Sequence, residues 1–401
     1  MTSSSPSAYP VRDAFRRFAG PFLDQHPETP YYRQKVANCI MKCKSGELGY
    51  NISVCEACGH PLIHAVSCNN RSCPCCQSAM EKKWELERNT ELIEGIAYYH
   101  VVFTIPHQLN SLIRLNLVPL LDLMFHCVHK ALLKLCADPR HAGMKPGIVS
   151  VLHTWGQKLS FHPHIHVCIS GGGLTPEKKF KETVHKGFFL PRPVVGDMFR
   201  GMFLCALKKL YNAGKLNLSG LGQLIDPVKW QSFIDSLFEK EWLPFIKETF
   251  NGNGNAVQYL ARYSYRTAIA NSRILSVTDD KVTFRCKDYA DGGKEKILTV
   301  TGEEFIGLFL QHVLPPGFHR VRFAGFLSNC KKAENLKLIS LLRSTVYTGN
   351  PYSKMKMKDL LQVIFGKDVC ACPVCSGKVT LHIRAAPLHR VEAFIREHSC
   401  N

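Results

Sequence analysis

Residues 161–173 (FHPHIHVCISGGG) constrain the fold of this chain more than any other stretch. His162, His164 and His166 alternate with rigid or apolar residues, which is the period of a β-strand, so the three imidazoles share one face. Neighbouring imidazoles on one strand face can bind a divalent metal ion through their ring nitrogens. A polar sheet face would explain one such histidine, but three together favour a metal site.

The fold class follows from the segments before this strand. Residues 98–105 are strand-like, residues 109–136 are apolar and helical, and residues 148–155 form a strand joined to the histidine strand by a short turn. So short a link makes an antiparallel hairpin. These elements predict an α+β fold with a central antiparallel sheet flanked by helices.

Changes in composition divide the chain into four predicted parts. Residues 1–92 contain helices and a cysteine-rich module, and residues 93–272 contain the central sheet with a mostly helical insertion at about 174–250. Residues 273–366 form a basic α/β region, and residues 367–401 form a small C-terminal zinc knuckle.

The excess of positive charge indicates the kind of partner. The formal net charge is +19 and the pI is about 9.2, which suits a polyanion such as nucleic acid. An anionic membrane surface is the alternative, but no basic amphipathic helix stands out. Because neither a signal peptide nor an apolar run of membrane-spanning length is visible, we expect a cytoplasmic protein.

The 18 cysteines of a cytoplasmic chain indicate metal binding rather than disulfides. Two CxxC pairs, Cys55 with Cys58 and Cys73 with Cys76, have the spacing of one four-thiolate zinc site. Spacing does not decide whether the cysteines left over nearby belong to a zinc site or are buried thiols. Cys39 and Cys68 are the further candidate ligands, and the others left over are Cys43 and Cys75.

A second zinc site is predicted at the C-terminal end. Cys370, Cys372 and Cys375 open a knuckle there, and Cys400 or His398 would close it.

A pair of tyrosines follows the Asn- and Gly-rich breaker at residues 251–255. Residues 256–269 are predicted to form a helix, in which Tyr259 and Tyr263 lie four residues apart on one face. Arg262 and Arg266 form a second such pair beside them.

The tyrosines suggest phosphodiester chemistry when they are combined with a metal site. A phenol has a pKa near ~10 and is a poor nucleophile without help. A divalent metal on His164 and His166 could polarise a phosphodiester, and attack by Tyr259 or Tyr263 would leave a 5′-phosphotyrosine and a free 3′-OH. The alternative is that both tyrosines are core aromatics of an amphipathic helix.

Residues 318–326 interleave aromatic rings with basic side chains, among them Arg320 and Arg322. This pattern fits a groove in which arginines meet phosphates and bases stack on rings. An ordinary amphipathic strand explains the pattern equally well.

Taken together, these motifs resemble a known family. The triplet at 164–166 resembles the HUH motif (histidine, hydrophobic, histidine) of single-strand endonucleases. In combination with residues 153–173 and the YLARY motif at 259–263, it is similar to the two-tyrosine rolling-circle transposases of the IS91 type. The cysteine motifs up to Cys76 resemble that family's zinc-binding domain, although Cys75 stands where the family usually has another residue.

The resemblance implies a transposase that cleaves and rejoins single-stranded DNA at the ends of an insertion sequence, in a bacterial cytoplasm and associated with the nucleoid. It implies an HUH nuclease domain with a four- or five-stranded antiparallel sheet and the HUH residues on a central strand. It also implies Mg²⁺ or Mn²⁺ as the catalytic cofactor and Zn²⁺ as a structural one. The arginines expected to bind DNA are Arg71, Arg262, Arg266, Arg320 and Arg322.

A hard ion such as Mg²⁺ should need a third ligand besides His164 and His166. Gln157, across the hairpin turn, is the first candidate. His153, His162 and Asn255 are the further candidates.

Two other functions remain open. A plasmid or phage rolling-circle replication initiator, or a relaxase, would share the same active site. A zinc-dependent DNA-binding protein without catalysis would keep only the zinc modules and the basic surface.

Overall fold

The histidine strand lies inside the largest sheet of the molecule, as the α+β prediction requires. The computed structural model describes residues 10–183, 190–248, 268–288, 291–366, 368 and 370–398. The described strands are β1 (Tyr50–Cys55), β2 (Pro61–Ala65), β3 (Tyr98–Thr104), β4 (Lys145–Trp155), β5 (Phe161–Leu174), β6 (Phe180–Glu182), β7 (Phe245–Glu248), β8 (Ile274–Val277), β9 (Lys281–Asp288), β10 (Lys294–Thr301), β11 (Val321–Gly325) and β12 (Val379–Ala386).

The α-helices are interspersed with these strands along the chain. Those in the described part of the chain are α1 (Pro10–Gln25), α2 (Tyr31–Lys42), α3 (Ser78–Asn89), α4 (Asn110–Leu115), α5 (Leu117–Ala137), α6 (Arg192–Asn212), α7 (Pro227–Phe238), α8 (Gly302–Leu310), α9 (Lys332–Leu342), α10 (Met357–Phe365) and α11 (Leu388–His398). Among the described residues, no helix has both the length and the apolar character needed to cross a membrane.

The central sheet has the strand order β11-β4-β5-β3-β7, with the short β6 paired to the end of β5. Every pairing in it is antiparallel. The expected β4–β5 hairpin is present, and its turn is closed by the amide of Gly156, which donates to the carbonyl of Ser160 at 3.0 Å. The histidine strand β5 is therefore an inner strand with a partner on each side.

The two faces of β5 have opposite character, as period-two alternation demands. Ile165, Val167 and Ile169 are fully buried in the main core together with side chains of α5 and α6. This core anchors the strand, because each fully buried aliphatic side chain contributes about 1.5–3 kcal/mol by leaving water. The opposite face presents the histidines at one end, and at the other end Cys168 packs in a smaller core with Trp84 of α3.

The insertion predicted to be mostly helical at 174–250 is only partly so. It contains α6 and α7, but β6 and β7 are strands of the central sheet. Residues 245–248 alternate between exposed and half-buried positions, which is the pattern of an edge strand beside β3. Helical propensity misled the prediction here because pairing with β3 determines the conformation.

Two further units contain the described strands that are not part of the central sheet. Helix α1 packs against α8, where Phe15 and Phe309 meet edge to face at 5.0 Å, and both cover the sheet β10-β9-β8. A third sheet has the order β12-β1-β2 and so joins the two ends of the chain. Strands from different predicted parts of the chain therefore share sheets. Strand β11 pairs with β4 in the central sheet, and β12 pairs with β1 in the third sheet.

Candidate active site and metal centres

Three histidines meet on one face of the β4–β5 hairpin. His153 of β4 lies directly opposite His164 of β5, and Val151 lies opposite His166, so the register brings His153 beside both motif histidines. One ring nitrogen from each of the three lies within 4.8 Å of the others. His153 is 2% exposed and His166 7%, while His164 is half-buried and opens the cluster to solvent.

Hydrogen bonds at Nδ1 make Nε2 the candidate metal-binding nitrogen of both motif histidines. The Nδ1 of His164 lies 2.7 Å from the carbonyl of His162 and donates to it, which leaves the Nε2 lone pair for a metal. The Nδ1 of His166 lies 3.0 Å from the Nε2 of His100, and the two rings stack at 5.2 Å. A partner of this kind fixes the tautomer and the ring orientation of a ligand histidine.

Burial keeps these imidazoles in the neutral form that a metal ligand requires. Desolvation lowers the pKa of His164 to about 4, and it lowers the pKa of His100 to about 4 as well. Desolvation, together with the neighbouring His153, His164 and His100, lowers the pKa of His166 well below its ordinary value. Neutral imidazoles offer lone pairs at physiological pH.

The third histidine of the cluster is His153, one of the further candidates, and Gln157, the first candidate, stays a prediction. Gln157 lies in the hairpin turn, where its backbone carbonyl accepts a hydrogen bond from the Arg273 guanidinium at 2.6 Å. His162 is exposed and outside the cluster, although its ring lies 5.3 Å from that of His164. Asn255 lies outside the described residues.

Sequence reasoning missed His100. The signal that could have found it is the alternation of β3, in which Tyr99, Val101 and Phe103 face the main core. A histidine on the opposite face of the strand next to β5 then lies on the histidine side of the sheet.

The donor set of the histidine cluster fits a divalent transition metal. Imidazole nitrogens suit Fe²⁺ or Zn²⁺ best, and Mn²⁺ and Mg²⁺ both prefer oxygen ligands, but Mn²⁺, as a first-row transition metal, accepts nitrogen ligands more readily than Mg²⁺. Within the part of the chain that the structure describes, the cluster contains only histidines and no carboxylate. Of the two expected catalytic ions, Mn²⁺ therefore matches the residues better than Mg²⁺.

The predicted zinc site of Cys55, Cys58, Cys73 and Cys76 is wrong in its grouping. The structure places Cys73 and Cys76 with Cys43 and Cys68, and it places Cys55 and Cys58 elsewhere. The first group, which we call the N-terminal cysteine cluster, has its four sulfurs within 4.8 Å of one another.

The N-terminal cysteine cluster forms where α2 ends against the loop that precedes α3. Cys43 is the first residue after α2, and Cys43 and Cys73 are almost fully buried in the core that includes α1 and α8. The amide of Asn70 donates to the sulfur of Cys68 at 3.5 Å, as in a turn that stabilises a thiolate. Of the two further candidates, Cys68 belongs to this cluster and Cys39 does not.

The second cysteine group joins distant parts of the chain. Cys55 and Cys58 meet Cys372 and Cys375, and we call these four residues the shared cysteine cluster. Of the cysteines predicted for the C-terminal site, Cys372 and Cys375 belong to this cluster and Cys370 does not. Cys400 and the side chain of His398 lie outside the described residues.

The arginines predicted to bind DNA have internal partners where the structure describes them. The guanidinium of Arg71 donates to the carbonyls of Phe318, Leu314 and Pro315 at 2.8–3.1 Å, which ties the cysteine-rich loop to the segment before β11. Burial lowers the pKa of Arg71 from its ordinary value. These bonds support a structural role for Arg71.

Arg322 pairs with Asp122 and lies over the ring of Phe125 at 4.2 Å, beside a cleft of about 710 Å³. Arg320 is half-buried immediately before β11, and its backbone carbonyl accepts from the amide of Leu152. Four predicted residues, the tyrosines and the arginines beside them, lie outside the described residues: Tyr259, Arg262, Tyr263 and Arg266.

Comparison with known families gives the class of this protein. The family described as "Putative transposase" matches residues 147–334, which include the histidine hairpin. The family described as "Transposase zinc-binding domain" matches residues 14–105, which include the N-terminal cysteine cluster. These matches define a transposase with a zinc-binding domain, which is a DNA-processing enzyme.

Whole-chain relatives narrow the class. A protein of Sinorhizobium fredii named "Putative transposase y4qJ" is 37% identical over 378 residues, which cover 94% of each chain. The transposase for insertion sequence element IS801 of Pseudomonas savastanoi pv. phaseolicola is 25% identical over 348 residues, which cover 85% of this chain and 81% of that protein. The chain belongs to the IS91 family of transposases. No solved structure matches it.

Proposed function

We propose that this transposase cleaves and rejoins single-stranded DNA through 5′-phosphotyrosine intermediates during rolling-circle transposition of an insertion sequence in the bacterial cytoplasm. The observation that carries the proposal is the histidine cluster of His153, His164 and His166 on two neighbouring inner strands of an antiparallel sheet. Family membership supplies the DNA substrate, and the tyrosine motif of the sequence supplies the nucleophile.

The histidine cluster would hold one divalent ion, for which Mn²⁺ is the better match and Mg²⁺ the alternative. When bound, such an ion supplies Lewis-acid stabilisation of charge on phosphate oxygens. The sheet contributes rigidity, since Ile165 and Val167 anchor β5 from the core side. His100 contributes orientation, because its ring holds that of His166 in a fixed tautomer.

Tyr259 and Tyr263 are the proposed nucleophiles. The phenol oxygen of one tyrosine attacks phosphorus as its proton is lost to a base or to water. A Tyr O–P bond then forms, the bond from phosphorus to the 3′-oxygen breaks, and the leaving oxygen takes up a proton to give a 3′-OH. The covalent link retains the bond energy for rejoining, and two tyrosines allow two strands to be held in turn.

Mapping the residue attached to DNA tests the proposal. The purified chain is incubated with Mn²⁺ and an end-labelled single-stranded oligonucleotide that carries an element end, and the adduct is digested and sequenced by mass spectrometry. We expect the adduct at Tyr259 or Tyr263, and its loss when both are changed to Phe. Tyr265→Phe, in the same segment, is the matched control and should keep the adduct. A labelled adduct that survives in the Tyr259→Phe/Tyr263→Phe variant would refute the nucleophile assignment.

The products separate the proposed function from its alternatives. A transposase joins the held strand to a second DNA, whereas a replication initiator or relaxase recloses or extends the strand it cut. A chain that binds DNA but forms no adduct with either ion would be a non-catalytic zinc-dependent binding protein.

A further inference from the structure

The two ends of the chain meet in the sheet β12-β1-β2. In the β1–β12 register, Cys55 lies opposite Val379 and Val54 lies opposite Thr380. The CxxC turn that follows β1 therefore lies beside the turn that precedes β12. The amide of Glu56 donates to the carbonyl of Lys378 at 2.9 Å, and the Lys378 ammonium pairs with the Glu56 carboxylate at 3.1 Å.

The four sulfurs of the shared cysteine cluster have the spacing of a tetrahedral zinc site. Cys55 Sγ lies 3.5 Å from Cys375 Sγ, Cys58 Sγ lies 3.7 Å from Cys372 Sγ, and all four lie within 4.8 Å of one another. Zinc–sulfur bonds of ~2.3 Å in a tetrahedron separate the sulfurs by about 3.8 Å. The separations are too long for disulfides, whose S–S bond is ~2.05 Å.

The backbone around the C-terminal pair is arranged to stabilise thiolates. The amide of Val374 lies 3.4 Å from Cys372 Sγ, and the amide of Gly377 lies 3.4 Å from Cys375 Sγ. The absence of a side chain at Gly377 lets the two CxxC turns approach each other closely, since a Cβ there would lie 2.8 Å from Ala57 Cβ and 3.1 Å from Cys55 Sγ. Turn hydrogen bonds from Gly59 to Cys55 and from Ser376 to Cys372 close both knuckles in the same way.

The surroundings explain why a metal would be needed there. Among the described residues, the hydrophobic core of this unit has four buried members, which are Ile52, Ala386, Val391 and Phe394. So small a core provides too little buried apolar area to hold a terminal segment in place, and structural zinc is one usual remedy.

We propose that Cys55, Cys58, Cys372 and Cys375 bind one structural Zn²⁺ that fastens the C-terminal segment to the N-terminal zinc-binding region. The chain then binds two zinc ions, one in each cysteine cluster. The proposal does not depend on the nuclease chemistry, and it assigns to Cys372 and Cys375 a role outside the region that matches the zinc-binding family at 14–105. The thiols bind as thiolates, and the released protons go to the buffer.

Zinc content of the purified full-length chain, measured by mass spectrometry of the metal, tests the proposal. With His164→Ala as the background in every sample, so that the histidine cluster does not add zinc, we expect two zinc ions per chain with all cysteines present and one in Cys372→Ser and in Cys375→Ser. Cys370→Ser is the matched control, because Cys370 lies two residues from Cys372 but outside the cluster, and it should keep two. Two zinc ions in Cys375→Ser, or one with all cysteines present, would overturn the assignment.

A second measurement does not require any ligand variant to fold. A protease site is inserted between Asn350 and Pro351, where the structure has neither helix nor strand, and the folded chain is cut there. We expect the C-terminal fragment to stay attached while zinc is bound and to be released by a chelator. If the C-terminal fragment separates from the rest of the chain before the chelator is added, or stays attached after all zinc is removed, zinc does not hold the two parts together.

Discussion

The histidine cluster and the shared cysteine cluster are both candidate metal centres, but they are built in opposite ways. All three histidines lie in one hairpin, on paired antiparallel strands whose register, on the side toward the turn, shifts only after His153. The shared cysteines are 314 and 320 residues apart and meet only because the two ends of the chain form one sheet. The histidine strand is anchored by the main core, whereas two shared cysteines, Cys58 and Cys375, are exposed.

This difference indicates different roles. A rigid, anchored strand face suits chemistry, which needs ligands held within fractions of an ångström. A site between distant segments suits stability, since it closes a very long loop and leaves the chemistry elsewhere. Substitutions in the histidine cluster should therefore lower activity and leave stability nearly unchanged. Substitutions in the shared cysteine cluster should lower stability and leave activity nearly unchanged.

The largest effect is expected for His164→Ala. Loss of this proposed metal ligand should lower metal-dependent nicking by about 10³-fold, which corresponds to the several kcal/mol that a metal contributes to charge stabilisation. Activity is measured as nicking of a labelled oligonucleotide, and stability is measured by the melting temperature and by retention of the two proposed cysteine-bound zinc ions. Only nicking should fall in His164→Ala. His162→Ala is the matched control and should stay near native, because His162 is exposed and outside the cluster. Equal losses in both variants would make the histidines a structural feature of the strand.

A smaller loss is expected when the partner of His166 is removed. His100→Phe keeps a ring but no hydrogen-bonding nitrogen, and such partners are worth about 10–100-fold in metal affinity or activity. Nicking measured against Mn²⁺ concentration should show a higher requirement for the ion, with partial recovery at saturation. His100→Gln, which can still accept from the Nδ1–H of His166, should recover more. An unchanged metal requirement in His100→Phe would show that the 3.0 Å contact has no role in positioning.

At the shared cysteine cluster, Cys58→Ser should loosen β12 and leave the histidine hairpin unchanged. Amide hydrogen exchange, measured by mass spectrometry, should rise by about tenfold or more in residues 379–386, because local opening sets the exchange rate. Peptides from β5 should exchange as in the native chain, and nicking should change by no more than about twofold. Faster exchange in β5 would mean that the two sites are coupled.

The smallest effect concerns a buried histidine next to the hairpin. His312 lies between Leu159, whose carbonyl accepts from Nε2 at 2.9 Å, and Thr154, whose hydroxyl lies 3.1 Å from Nδ1. Desolvation lowers the pKa of His312 to about 3. An unfolded chain, with an ordinary histidine pKa near ~6.5, then binds more protons, so this residue's contribution to stability is present above about pH 6.5 and is lost as the pH falls toward 3.

Denaturant unfolding at several pH values checks this. His312→Gln should lower the free energy of unfolding at pH 7 and should reduce its dependence on pH between about 6.5 and 4 by about 1 kcal/mol or more, at ~1.4 kcal/mol per pKa unit. The exposed His319 provides the control, and His319→Gln should keep the native pH dependence. An unchanged slope in His312→Gln would mean that the histidine is not protonated on unfolding.

Much of the central region could be predicted from the sequence. The alternation of residues 161–167 determined a strand with histidines on one face, and the short link to residues 148–155 determined the hairpin and its antiparallel direction. Both follow from local geometry, since side chains alternate across a strand and a short turn can join only antiparallel neighbours. The α+β class followed from these elements.

The members of each cluster were decided by tertiary structure. Gln157 and His153 were both plausible third residues from the sequence, and only the strand register places His153 opposite His164. The CxxC motifs give two thiols each and do not say which pairs share an ion. The path of the chain in space decided that Cys73 joins Cys43 and that Cys55 joins Cys375. Metal ligands must be close in space, and the spacing of cysteines along the sequence ensures this only for two cysteines in the same turn.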